Sequence, residues 1–330
     1  MNLLSVSECR RKLHHGLIPA VPVPFTSSGA MDSTALKQYV AHMATQPLAG
    51  VAVWAHTGRG LLLHREQRIE VLRAWRDGLG PEKALIASVG GPPQHSGSPR
   101  AFIDAALSMA QSALENGAQA LMVYAPTPFR QSGQCEELTL EYHRQIASLG
   151  APIILFYLYE AAGGISFSPG LLRRLFALAE VVGIKLATLN SVMTFQDVAR
   201  LISRDFPDKL LITGEDRFLG YSLMCGAQAA LIGMGSACIG LQHDMMEAYF
   251  HGRAAQFLAL SQAVDELAEV LFVAPMEGYI LRMLWSLVHE GVIDRESSHD
   301  PWGPELPESE FAEIGKVRRR VSRMEQTSGS

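Results

Sequence analysis

Eight short apolar runs rich in β-branched residues recur along the chain, at 18–23, 51–55, 85–89, 121–124, 153–157, 182–186, 210–213 and 229–232, and longer amphipathic segments separate them. Runs that are apolar on both faces suit parallel strands covered by helices, so the alternation predicts βα units around a parallel sheet. Eight units are what a closed barrel needs, and the expected fold class is α/β, a (β/α)8 TIM barrel. An open doubly wound sheet shows the same alternation, but no G-x-G-x-x-G follows the first run.

Helices are expected at 33–46, 65–79 and 104–116, the last stopped by Gly117. Beyond the eighth run, helices are expected at 244–273, 277–289 and 308–324, with a proline-rich turn at 299–307. The 330 residues would allow two domains of roughly 150 residues each. The pattern instead assigns 1–240 to the barrel and 241–330 to a C-terminal helical extension packed on it. Residues 90–100, rich in proline, glycine and serine, are expected as a loop leaving the third strand on the face where barrels build their sites.

A net charge of −5 argues against a nucleic-acid binder, and the basic run Lys316-Val317-Arg318-Arg319-Arg320 reads as the solvated side of a terminal helix. Cys9, Cys135, Cys225 and Cys238 are far apart, without the spacing of a metal site or a disulfide framework, which fits reduced thiols in the cytoplasm. No apolar stretch of about 18 residues suggests a membrane span, so neither membrane nor nucleic acid is expected as a partner.

Lys185 interrupts the apolar run Val181-Val182-Gly183-Ile184-Lys185-Leu186-Ala187. Burial would lower its pKa and raise the fraction of neutral amine, the form that attacks a carbonyl to make a Schiff base. A lysine whose stem packs on the sheet while its head reaches solvent gives the same sequence, and spacing does not choose between the two.

Gly183-Ile184-Lys185-x-Ala187-Thr188 resembles the Schiff-base strand of the dihydrodipicolinate synthase and N-acetylneuraminate lyase family, class I aldolase-type barrels acting on pyruvate and other 2-oxo acids. The likeness runs from Gly16 to about Leu306. It includes Ile18-Pro19-Ala20-Val21-x-x-Pro24-Phe25, His56-Thr57-Gly58, Pro152-Ile153-Ile154-Leu155 and Ile212-Thr213-Gly214-Glu215-Asp216, in the family's order and spacing. The resemblance implies a (β/α)8 barrel, Lys185 as the Schiff-base lysine, Thr57-Gly58 around the substrate carboxylate, Ile232 and Gly233 lining the pyruvyl pocket, and no metal or organic cofactor. It also implies a homo-oligomer, a dimer or tetramer.

The chain departs from the family at several points. Arg59 follows Gly58 where the family has a glutamate, and it either clamps a second anionic group or lies at the surface. His56 is a candidate acid or base. Counting from Pro152 puts Phe156 where the family carries a catalytic tyrosine, and Ala161 where dihydrodipicolinate synthase carries an arginine for a distal carboxylate. Tyr157 replaces the phenol only if a bulge or a one-residue slip turns it inward. It is preferred here over Tyr159, with Glu160 as a further acid or base and Glu215 as a reader of substrate hydroxyls. The fourth strand ends Tyr124-Ala125-Pro126-Thr127-Pro128-Phe129, without the tyrosine pair of many family members.

The expectation is a Schiff-base-forming lyase, an aldolase or dehydratase acting on pyruvate or another 2-oxo acid, and not authentic dihydrodipicolinate synthase. The alternative is a non-catalytic 2-oxo acid-binding or regulatory protein on the same barrel, which phenols turned away from Lys185 would favour. Pro275-Met276-Glu277 and the residues through Trp285 are read as packing or subunit contacts.

Overall fold

The computed structural model describes residues 3–92, 97–160 and 163–328, with side chains to residue 322. Part of the expected loop at 90–100, and Ala161, therefore lie outside the described residues. The chain begins with helix α1 (Val6–Leu13), fixed by a reciprocal cap in which the Glu8 amide donates to Ser5 Oγ (3.2 Å) and the Ser5 amide to Glu8 Oε2 (2.9 Å). Strands β1 (Leu17–Pro19), β2 (Gly50–Val53), β3 (Ala84–Val89), β4 (Ala120–Val123), β5 (Ile153–Leu158), β6 (Val181–Ala187), β7 (Leu210–Thr213) and β8 (Ala229–Ile232) follow. Each pairs in parallel with its neighbour, β8 returns to β1, and an isolated bridge between Ala20 and Ala52 brings β1 back to β2.

Helices α2 (Ser33–Ala44), α3 (Arg65–Gly78), α4 (Pro99–Glu115), α5 (Cys135–Ala147), α6 (Pro169–Phe176), α7 (Val192–Asp205) and α8 (Leu219–Met224) alternate with the strands. The strand residues are buried on both faces, which is why they read as continuous apolar runs. Val51, Val53, Leu121, Leu155 and Ile184 face the helix layer, while Ile18, Ile86, Met122, Ile154 and Ile212 fill the interior.

Three differences from the sequence expectation have physical causes. First, β1 ends at Pro19, because Pro22 and Pro24 have no N–H to extend a ladder. Second, α4 starts at Pro99, where Ser98 accepts from the Ala101 amide (3.3 Å) and proline suits the first helical position. Third, the helix expected at 244–273 is two, α9 (Ile239–Phe250) and α10 (Ala254–Leu271), broken at Gly252, whose φ of 69° is the left-handed conformation that glycine adopts freely. Helices α11 (Tyr279–His289) and α12 (Glu308–Ser328) complete the chain, with α10 packed on α8, α9 and α12.

Helix α1, not anticipated from the sequence, closes the end of the barrel opposite the site. Its Cys9 and Leu13 are fully buried in the same cluster as the inward strand residues, and its exit is held by the His15 amide donating to the Gln228 carbonyl (2.6 Å). We predict that Leu13→Ala costs about 2–5 kcal/mol in urea unfolding; a change under about 0.5 kcal/mol, typical of a surface position, would show that α1 does not plug the barrel.

Candidate active site

Strand β6 does not alternate regularly. Val181 faces the helices, Val182 faces the interior, and Ile184 and Leu186 face the helices again. The pairing shows why: Ile153 lies opposite Val181 but Ile154 lies opposite Gly183, so β6 carries one extra residue at Val182-Gly183. Unbroken alternation from Val181 would send Lys185 outward; the slip turns it into the barrel, opposite the inward Phe156 and Ile212. Glycine is required at the slip, since a Cβ on Gly183 would lie 2.2 Å from the Leu210 carbonyl oxygen of β7.

Lys185 opens into a cavity of about 260 Å³ at the C-terminal end of the strands, lined also by Thr57, Phe156, Tyr159, Asp216, Gly233 and Tyr279. Lys185 Nζ stands 4.5 Å from the centre of the Phe156 ring. Gly214 makes room for the stem, because a Cβ there would come within 2.8 Å of Lys185 Cε. The lysine is 7% exposed. Desolvation pushes its pKa down to about 8, against the opposing pull of the nearby Asp216 and Glu215 carboxylates. At pH 7 roughly one amine in ten is then neutral, against about one in three thousand for an ordinary lysine.

The two acids after β7 have separate tasks. Asp216 lines the cavity and accepts from the Met234 amide (2.7 Å), which ties the loop after β8 to the lysine's side of the barrel. Burial raises its carboxyl to about 7, with Lys185 opposing. Glu215, expected to read substrate hydroxyls, is instead engaged with the loop after β6: it accepts from the Thr188 amide, the Thr188 hydroxyl (3.0 Å) and the Leu189 amide (3.1 Å). Those bonds hold Leu189 in a left-handed conformation, φ 40°. Burial lifts Glu215 to about 7 as well.

Residues 56–58 form a single 3₁₀ turn after β2. Gly58 passes so close to β1 that a Cβ would lie 2.7 Å from the Val21 carbonyl oxygen. Its amide donates to Ala55 (2.9 Å), so the expected role of that amide in holding a carboxylate is not what the backbone shows. Thr57 Oγ1 is 3.0 Å from the hydroxyl of Tyr279, the first residue of α11, and burial pushes that phenol's pKa well up. His56 Nε2 lies 2.9 Å from Glu277 Oε1. Arg59 is neither at the surface nor open to an anionic ligand. It is 8% exposed, with NH2 on Asp300 Oδ2 and NH1 on Glu277 Oε2, both 2.7 Å. Gly233 lines the cavity against Thr57 and Tyr279, whereas the Ile232 side chain is buried in the outer cluster.

The phenols differ from expectation. Tyr157 points to the helix layer, edge-on to Phe167 with ring centres 5.5 Å apart. The irregularity lies in β6 and at the start of β5, before Ile154, so from Ile154 onward β5 alternates and Phe156 keeps the inward place. Tyr159 does line the cavity with Lys185, and burial raises its pKa. Glu160 is exposed and accepts from Ser166 Oγ (2.8 Å), away from the lysine's cavity. Tyr279 went unseen in the sequence, since nothing in local spacing brings it to Thr57 across 222 residues. Pro275, Met276 and Glu277 also line the cavity, which corrects their reading as packing residues.

The model of the dihydrodipicolinate synthetase family matches residues 13–315. The chain belongs to this family. Its members are lyases of the class I aldolase type. A 4-hydroxy-tetrahydrodipicolinate synthase of Synechococcus sp. (strain CC9605) is 27% identical over 259 residues, covering 78% of this chain and 80% of that protein. The fold is shared with a Ruminococcus gnavus sialic acid aldolase (TM-score 0.81, 16% identity, 96% of this chain and 99% of that one). It is also shared with an N-acetylneuraminate lyase of Mycoplasma synoviae (TM-score 0.74, 20% identity, 95% and 98%). Among the described residues no cluster of three or more His, Cys, Asp or Glu is arranged to hold a metal, and no helix is long and apolar enough to cross a membrane.

The Gly183 contact gives a direct test. Gly183→Ala should lower stability by about 1–3 kcal/mol in urea unfolding, as overpacking does. A neutral or stabilising result, as for glycine replacement at an unstrained position, would contradict the close approach of β6 and β7.

Proposed function

We propose that this lyase forms a Schiff base between Lys185 and the 2-oxo carbon of pyruvate or a longer 2-oxo acid, and that its reaction is not that of authentic dihydrodipicolinate synthase. The observation that carries the reading is the lysine itself: inward, desolvated, with a pKa lowered to about 8, in a cavity large enough for a small ligand. The neutral amine attacks the carbonyl carbon and water leaves, giving an iminium that accepts the electron pair of a bond breaking at the neighbouring carbon. Asp216, with a pKa near that of the lysine, is suited to take and return protons beside it.

Phe156 offers a ring face and no proton. The phenol it lacks is supplied from elsewhere: Tyr279 on Thr57, with Tyr159 at the other side of the cavity. These two phenols favour catalysis over the non-catalytic alternative. The departure from dihydrodipicolinate synthase rests on Ala161, which stands in the sequence where that enzyme carries the arginine for a distal carboxylate, and Arg59 does not stand in for it, since Asp300 and Glu277 take its guanidinium.

Borohydride added with pyruvate should leave a reduced adduct on the peptide containing Lys185, read by mass spectrometry. Turnover without any label would sink the mechanism. Tyr279→Phe should retain the label while kcat falls by about 10²-fold, the scale of a lost proton carrier; an unchanged kcat would remove Tyr279 from the relay.

A further inference from the structure

His56 and Leu158 border both the lysine's cavity and an adjacent chamber of about 210 Å³. Leu61, Leu62, Tyr124, Ala125 and Leu158 give that chamber apolar walls. Its polar side chains are already engaged. Tyr124 donates its hydroxyl to the Trp54 carbonyl (2.8 Å), Thr127 donates to the Gly163 carbonyl, and His56 is on Glu277. Arg59 uses Nε, NH1 and NH2 on Asp300 and Glu277, so one guanidinium faces two carboxylates.

A second carboxylate or a phosphate entering here would find no free cation among the described lining residues and would meet Glu277 and Asp300 at short range. A chain of hydroxyls would give up water for a wall with few free partners. An aryl or alkyl group loses nothing on leaving water and gains the contact.

We propose that the distal half of the substrate is apolar, an aryl or alkyl group seated between Leu61, Leu62, Tyr124 and Leu158, so that the enzyme makes or cleaves a 4-hydroxy-2-oxo acid from pyruvate and a hydrophobic aldehyde. The inference rests on the Lys185 Schiff-base reading. In cleavage, the 4-hydroxyl proton passes to a base in the cavity and the C3–C4 bond breaks, its electron pair moving into the iminium to give an enamine. The hydrophobic aldehyde leaves, C3 takes up a proton, and water hydrolyses the iminium to release pyruvate and the free amine. Condensation is the reverse, and neither direction needs an oxidant or reductant.

The test compares 4-hydroxy-2-oxo-4-phenylbutanoate with 4-hydroxy-2-oxoglutarate and a polyhydroxylated 2-oxo acid, following pyruvate release by the full chain. Expected is a kcat/KM at least about tenfold higher for the phenyl compound, the scale of apolar pocket discrimination. Leu62→Asp should cut the ratio of phenyl to dicarboxylate kcat/KM by about tenfold or more, and Leu62→Met should keep it within about threefold. The ratio is insensitive to any fraction of unfolded protein. Equal or better turnover of a polar substrate, with Lys185 still labelled by pyruvate and borohydride, overturns this inference alone. Absence of the label overturns the Schiff-base reading and this inference with it.

Discussion

The extra residue that β6 carries at Val182-Gly183 decides which way Lys185 faces, and the cavity's chemistry follows from that direction. Because side chains alternate with a period of two, a single inserted residue inverts everything downstream of it. Ile184 and Leu186 pass to the helix layer, and Lys185 enters a barrel otherwise filled by apolar side chains. A buried ammonium is costly there. A pKa moved from 10.5 to about 8 corresponds to roughly 3 kcal/mol at pH values below 8. The folded chain holds that proton less tightly than the unfolded one, so this cost falls as pH rises from about 8 to 10.5. Stability is thus given up in exchange for a nucleophile that is partly neutral at pH 7.

The remainder of the site is assembled by contacts between distant parts of the chain. Asp216 links the loops after β7 and β8, and Glu215 fixes the loop after β6. The C-terminal helices do more than cover the barrel. Arg59 joins the turn after β2 to Glu277 and Asp300, and Tyr279 enters from α11 to meet Thr57. With these ion pairs closed upon themselves, the cavity beyond the lysine is left with apolar walls and little polar capacity for a ligand.

The barrel was legible in the sequence because its strands are buried on both faces and eight such runs alternate with helices. Lys185 was legible as an interruption of one run and through its likeness to a family strand. Its direction was not: regular alternation points it outward, and only the pairing with β5 and β7 reveals the slip. Tyr157 stays outward for the complementary reason: the extra residue is carried by β6, and β5 alternates without a break from Ile154 through Tyr157. Tyr279, Glu277 and Asp300 were invisible as site residues because their partners stand more than 200 residues away. Arg59 was visible as a departure from the family pattern, but its engagement depends on that distant Asp300, which no local spacing announces.

The central claim is that Lys185 is an inward, desolvated amine, and its titration tests this most directly. The rate of reductive methylation of Lys185, measured across pH and read by peptide mass spectrometry, reports the fraction of neutral amine. A midpoint near pH 8 agrees with the structure. A midpoint near 10.5, that of a lysine with its head in water, would contradict it.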